Sequence, residues 1–323
     1  MIKIKVTIER IPGGMMTVPL ACGALLATFA PHAGSFFGSF TGALFSGALP
    51  LLAVFYVCMG ATIPLRSMPS VVKRGGALMA AKITLGILAG LILGRVLGTQ
   101  PIATGWFAGL STLAVVAAIN DTNGGLYMAL MRRYGSAEEA ASYSVMALES
   151  GPFLTMVTLG VAGLSSFPWQ TFVGAILPLC AGIVLGNLDP EMRAFLGQAV
   201  PVIIPFFAFA LGTTLNLHLV WAAGLLGLLL GVTTLCLSAL VLIVVDKTIG
   251  GNGTAGIAAS ATAGNAAAVP MLVAAANREY FAAARTATVL VASSVVMTSL
   301  LVPPLTACWH RWMARSHTAK VEG

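Results

Sequence analysis

Apolar runs of about 20 residues recur along the whole chain, separated by short polar links. That length matches the roughly 20 apolar residues a helix needs to cross the hydrocarbon core of a bilayer. The runs are also longer than strands usually are. The pattern predicts ten spans, at 13–30, 40–64, 75–97, 103–131, 138–164, 170–187, 199–216, 221–245, 253–276 and 283–309. The fourth and ninth are interrupted. The fourth carries Asn120-Asp121-Thr122-Asn123-Gly124-Gly125 in its middle, residue types that favour turns and caps over helix interiors. The ninth is interrupted by Gly264-Asn265 and then Pro270. A broken helix exposes backbone N–H and C=O groups at membrane depth, which is tolerated only where they line a polar cavity, meet other protein groups or bind a ligand.

Composition supports this reading. Hydrophobic residues make up 58% of the chain and charged residues 8%, against about 25% charged in soluble domains. Such a chain cannot cover itself with water-facing side chains, so its outer surface faces lipid. The start of the chain shows no short apolar core followed by a small-residue cleavage site, so the first apolar run reads as a retained span.

Charge then sets the orientation. Of the 17 Lys and Arg residues, 13 fall at one set of span ends, Lys3, Arg10, Arg66, Arg74 and Lys247 among them. Three (Arg95, Arg278, Arg285) fall at the other set, and Lys82 lies within a span. This bias predicts both termini in the cytoplasm. The net charge of +7 is therefore a topology signal and not a nucleic-acid face.

An internal repeat organises the spans. PLACGALLATFAP at 19–31 matches PLCAGIVLGNLDP at 178–190, an offset of 159. Gly60–Leu65 matches Gly212–Leu217, and Arg95–Gly98 matches Lys247–Gly250, both at 152; Phe107–Ser111 resembles Thr254–Ala258 at 147. Five spans per copy is an odd number, so the second copy enters from the opposite side. The expected architecture is an all-α membrane protein of two inverted five-helix repeats, residues 1–168 and 169–323, with a site near the midplane where the broken helices meet.

Ionisable groups inside spans cost about 2.5–3.5 kcal/mol each on insertion scales and so need a reason. Asp121 sits at the break of the fourth span. Glu149 precedes Ser150-Gly151-Pro152 in the fifth. Lys82 lies about two turns into the third, on a face with Gly86, Gly90 and Gly94 that suits close helix packing. Its alternative is to snorkel towards the cytoplasmic surface.

Other motifs exclude function classes. Five scattered cysteines and four histidines form neither a disulfide framework nor a metal site. Gly251–Gly256 fits G-x-G-x-x-G but lacks a surrounding strand–helix–strand unit. No nucleophile–base arrangement appears, so neither an enzyme nor a cofactor is expected. The remaining enzyme reading would need Asp121 and Glu149 as a carboxylate pair.

These residues also carry a resemblance. The segments FFGSFTGAL at 36–44, DTNGGLY at 121–127, GNLDPE at 186–191, IPFFAFALG at 204–212 and GGNGTAGIAAS at 250–260, together with Ile11–Met16, Cys58–Ala61, Trp106–Ala114 and Ala147–Pro152, resemble the bacterial 2-keto-3-deoxygluconate permeases over nearly the whole chain. The resemblance implies uptake of that sugar acid by proton symport across the inner membrane. It also implies kinship with the bile acid sodium symporter fold, in which a panel domain and a core domain rock against each other. It carries over Asp121, Asn123 and Gly124 in the first break, and Gly256, Ala258 and Ser260 near the second. The sodium-coupled relatives carry a carboxylate on the second crossing helix. This ninth span has none, which favours protons; a sodium-coupled organic anion symporter of the same fold is the alternative.

A site follows from this. The carboxylate of the substrate is expected at backbone N–H groups where the half-helices resume, since those ends carry positive dipoles. Ser111, Thr112, Asn120, Asn123, Gly124, Ser260, Thr262 and Asn265 flank the breaks and are the candidate substrate residues. Asp121 and Glu149 are the candidate proton-coupling residues.

Overall fold

The computed structural model describes residues 3–9, 14–65, 69–164, 166, 169–213 and 217–321. Arg10, Ile11–Gly13, Arg66 and the repeat residues Thr214-Leu215-Asn216 lie outside the described residues. Among the described residues all regular structure is helical apart from one isolated bridge.

Helix stands in each of the ten predicted segments. A short exposed helix, α1 (Ile4–Glu9), precedes α2 (Gly14–Phe29). After α3 (Ala33–Phe37), α4 (Ser39–Ser46) and α5 (Ala48–Ala61) meet at 69° across Gly47. Next come α6 (Pro69–Leu97) and the split fourth segment, α7 (Thr112–Asn120) and α8 (Gly124–Tyr134). The fifth segment is also broken. It comprises α9 (Ala137–Ala141), α10 (Tyr143–Met146), a 3₁₀ turn at Ala147–Glu149 and α11 (Pro152–Val161), with a 64° bend before Pro152.

The second half holds α12 (Trp169–Leu188), α13 (Pro190–Gly212) and α14 (Leu217–Thr248). The ninth segment splits into α15 (Thr254–Ala259), a 3₁₀ turn at Gly264–Ala268 and α16 (Val269–Ala276). A 3₁₀ turn at Arg278–Tyr280 leads into α17 (Phe281–Val321). Four described helices are long and apolar enough to cross a membrane, and the two bent pairs raise this to six. Three shorter apolar helices add to them.

The start of the fourth segment differs from expectation. The fourth segment was expected to be apolar helix from 103, yet helix begins only at Thr112. Residues 102–110 form a closed loop in which Gly109 N–H donates to Ile102 O (2.8 Å) and Ile102 N–H to Leu110 O (2.9 Å). Gly105 and Gly109, with φ of 91° and 90°, adopt the left-handed conformation that glycine accepts without steric cost.

The helices sort into two layers. In the first, α2 packs on α13, α12 on α5, and α5 on α13. The contacts are made at backbone level through glycine. A Cβ on Gly23 would collide with the Phe209 carbonyl and the Thr213 amide; one on Gly182 would collide with the Val57 carbonyl and the Ala61 amide. Likewise Gly60 lies on the Leu179 carbonyl, and Gly212 on the Leu20 carbonyl. Each pair is related by the same offsets, 159 and 152, that align the two halves of the sequence.

The second layer joins α6, α7, α11, α14, α15 and α17. Here the glycines of α6 do the packing: Gly86 faces the Asn120 side chain, Gly90 faces Ala162, Val116 and Thr158, and Gly94 faces Leu164. At one end of this layer Arg74 on α6 pairs with Glu139 and with the fully buried Asp246 (3.3 Å). Asp246 also accepts the Gly253 N–H (2.8 Å). The G-x-G-x-x-G turn is thus held by a carboxylate of the chain itself and opens a helix of only six residues.

Candidate functional site at the helix crossing

The two breaks of the fourth and ninth segments meet and satisfy each other. Asn123 N–H donates to Ala261 O (3.0 Å) and Ala263 N–H donates to Asp121 O (3.1 Å). These two bonds form an antiparallel bridge centred on Thr122 and Thr262. Backbone groups freed by the breaks would otherwise stand unpaired in a buried setting.

Buried polar side chains close around this bridge. The Thr122 N–H donates to Glu149 Oε1 (2.7 Å), and Thr122 Oγ1 accepts from Lys82 Nζ (3.0 Å). Lys82 Nζ also donates to the Ala259 carbonyl (3.3 Å). On the other strand of the bridge, Thr262 N–H donates to Thr298 Oγ1 (3.1 Å) and Thr262 Oγ1 donates to Ala118 O (3.0 Å). Asp121 Oδ2 accepts from Asn265 Nδ2 (2.9 Å), which ties the first break to the second. Glu149 reaches the crossing because the fifth segment breaks next to it. Gly151, with φ of 107°, starts α11 with Pro152 in its first turn, and a proline is tolerated there because no partner is lost.

Lys82, Asp121 and Glu149 are each at most 2% exposed. Buried charges persist only when paired and hydrogen-bonded. One ammonium between two carboxylates leaves the cluster with one negative charge too many when all three are ionised.

A cavity of about 680 Å³ separates the two layers at the crossing. Phe55, Met59, Ile204 and Phe207 of the first layer form its apolar wall. The opposite wall holds Asn123-Gly124-Gly125 at the start of α8 and Ala263-Gly264-Asn265 before α16. Asn123 caps α8, its Oδ1 accepting from Leu126 N–H (3.1 Å), while its Nδ2 points to Ser299 Oγ (3.5 Å). Among the described lining residues there is no Lys or Arg, so backbone N–H groups are the electropositive feature of the wall. The cavity runs from the crossing to Glu9, Gly14 and Ala140, at the end of the molecule where Arg74 pairs with Glu139.

An all-helical membrane protein with broken helices crossing beside a cavity defines a class, that of the multi-pass transporters. Comparison places the chain within it. The 2-keto-3-deoxygluconate permease family profile matches residues 5–315. The 2-keto-3-deoxygluconate permeases of Escherichia coli O7:K1 (strain IAI39 / ExPEC) and of Escherichia coli O9:H4 (strain HS) are each 50% identical over 321 residues, covering 99% of this chain and 98% of theirs. The chain belongs to the 2-keto-3-deoxygluconate permease family; it is a transporter and not an enzyme. In fold it is similar to the sodium proton antiporter MjNhaP1 from Methanocaldococcus jannaschii, with a TM-score of 0.60 at 14% identity, covering 92% of this chain and 97% of that one.

The structure separates the candidate residues into two groups. Asn123, Gly124 and Asn265 line the cavity. Ser111, Thr112, Asn120, Ser260 and Thr262 are buried in the second layer, away from the lining. Ser111 caps α7 at the Ala114 N–H (3.2 Å), nine residues before the break. Asn120 Nδ2 donates to Thr158 Oγ1 (2.9 Å), and Ser260 Oγ donates back to Ile257 O (2.6 Å). Gly124 leaves room for the Tyr143 ring, into which any Cβ would run.

Several members of the site escaped sequence reasoning. Lys82 drew notice as an in-span charge, but its direction along α6 is set by packing and not by periodicity. Thr158, Ser294, Thr298 and Ser299 look like ordinary small residues of apolar helices, and only the 294/298 spacing of four hints at a shared polar face.

Proposed function

We propose that this chain imports 2-keto-3-deoxygluconate by proton symport across the inner membrane, through alternating access between its two layers. The carrying observation is the cavity on which both broken helices converge. A sugar acid offers a carboxylate and several hydroxyls. The N–H groups where α8 resumes suit the carboxylate, Asn123 and Asn265 suit the hydroxyls, and glycines at 125 and 264 permit close approach of the ligand to the backbone. In this reading Ser111, Thr112, Asn120, Ser260 and Thr262 shape the wall from behind.

The coupling proton resides on Asp121 or Glu149. Asp121 reaches the cavity through Asn265, while Glu149 is bonded to the Thr122 N–H in the bridge behind the wall. Binding of substrate at Asn265 therefore changes the surroundings of Asp121, which links the two events.

Two inverted repeats, 1–168 and 169–323, each contribute helices to both moving layers. The reciprocal glycine contacts of the first layer support this division, because residues paired across the layer exchange roles at the repeat offsets. Ten spans with both termini in the cytoplasm follow from the charge bias, and the cavity then opens inward. The first layer is the panel domain and the second the core.

Uptake into proteoliposomes under an imposed proton gradient, an imposed sodium gradient, or neither tests the reading. Concentrative uptake of 2-keto-3-deoxygluconate with the proton gradient alone is expected. Accumulation driven only by sodium would replace it with the sodium-coupled alternative.

A further inference from the structure

The arrangement around Lys82 leads beyond substrate and coupling ion. Its Nζ lies at the bridge between the two breaks, bonded to a threonine hydroxyl and a backbone carbonyl, with Glu149 and Asp121 within electrostatic reach. The hydroxyl and the main-chain carbonyl are oxygen donors of the type that binds hard cations, and the two carboxylates lie beyond direct contact and add negative potential. Here the chain fills that position with its own ammonium. The fit is specific. Thr122 presents its hydroxyl to Lys82 and its N–H to Glu149 (2.7 Å), so one residue reads both charges. Glu149 Oε2 and Asp121 Oδ1 both remain without a hydrogen-bond partner among the described residues, so each carboxylate of the cluster keeps an open acceptor.

We propose that Lys82 is a tethered cation that occupies the monovalent-cation position of the crossing, so that the transporter binds its anionic substrate without a free metal ion. Lys82 does not itself line the cavity, and it is therefore a positioning residue. Its charge fixes Thr122 and offsets Glu149, and through the bridge between Thr122 and Thr262 it holds both half-helices in the geometry that meets the substrate. The ionisable groups that face this cluster are Glu149 beside the α11 break, Asp121 at the α7 break, Tyr143 on α10 and Tyr56 on α5. The inference adds to the proton-symport reading the reason why sodium is not required.

The test uses the purified full-length chain and 2-keto-3-deoxygluconate binding measured at constant ionic strength, with sodium, lithium or methylammonium exchanged for choline. Wild type should bind equally well in all four. Lys82→Ala should bind about tenfold more weakly in choline, and sodium, lithium or methylammonium should restore binding saturably by filling the vacated position. Lys82→Arg should keep binding without added cation. A Lys82→Ala protein that is folded and binds like wild type, or that no cation rescues, overturns the assignment. Should Lys82→Ala not fold, the wild type still decides, since saturable dependence of its binding on sodium would show that the position is not filled by Lys82. Failure of the symport reading is seen separately, as sodium-driven uptake in proteoliposomes by the wild type.

Discussion

The two layers of this molecule are built by opposite means. Apart from the Tyr56 hydroxyl on α5, the described buried polar and charged residues, from Lys82 to Thr306, lie in the second layer and its connections. The first layer is held by apolar side chains and by glycines that let backbones touch. Without a hydrophobic drive between helices in lipid, close backbone approach is the main source of packing energy. The second layer instead places charges and hydroxyls at membrane depth, where each must find a partner. A rigid apolar body beside a polar body with a broken centre is a division of labour, with one body supplying a wall and the other chemistry.

Substitutions should therefore fail in different ways on the two sides. The largest effect is expected at Gly182→Val, which drives a side chain into the Val57 and Ala61 backbone. Overpacking typically costs about 1–3 kcal/mol and more when backbone must move, so folded protein should be lost in detergent size-exclusion assays. Gly174→Val on the same helix meets nothing within 4 Å and should purify normally. Equal loss at both sites would break the contrast.

Next in size are Asp121→Asn and Glu149→Gln. Each should purify as folded protein yet lose nearly all concentrative uptake driven by a proton gradient. Retained accumulation in both variants would remove the coupling role. Asn123→Ala comes third, with binding weakened about tenfold, roughly 1.4 kcal/mol, as read by titration calorimetry. Ser111→Ala sharpens the same contrast. It removes a cap worth about 1 kcal/mol and should lower the melting temperature while leaving substrate affinity unchanged. The smallest effect belongs to Lys5→Ala, which removes an exposed pair with Glu9 at 3.6 Å. Exposed pairs contribute little, so uptake and melting should match wild type.

Much of this was legible in the sequence because membrane helices obey a length rule that turns and loops do not blur. The breaks at 120–125 and 264–265 were visible as turn residues inside apolar runs. The repeat offsets were visible as matched Pro and Gly positions, and these are the same glycines that make backbone contact. What could not be read was direction. Lys82, about two turns into the span expected from 75, could equally have pointed to the surface, and only the packing of α6 on α7 and α14 turns its Nζ to Thr122. The same holds for Ser111 and Thr262, which sequence proximity grouped with Asn123 but which tertiary packing buries on the far side of the wall. Nor did an apolar run starting at 103 reveal that Gly105 and Gly109 would fold its first residues into a loop.

The central claim is that substrate binds between the layers at the crossing. Single cysteines at Met128 and Ile204, one on each wall of the cavity, in a chain whose five native cysteines are replaced, test it most directly. 2-Keto-3-deoxygluconate should slow alkylation at both positions and leave a control at the exposed Trp106 unchanged. Undiminished alkylation at both positions, in variants that still take up the substrate, would contradict the account.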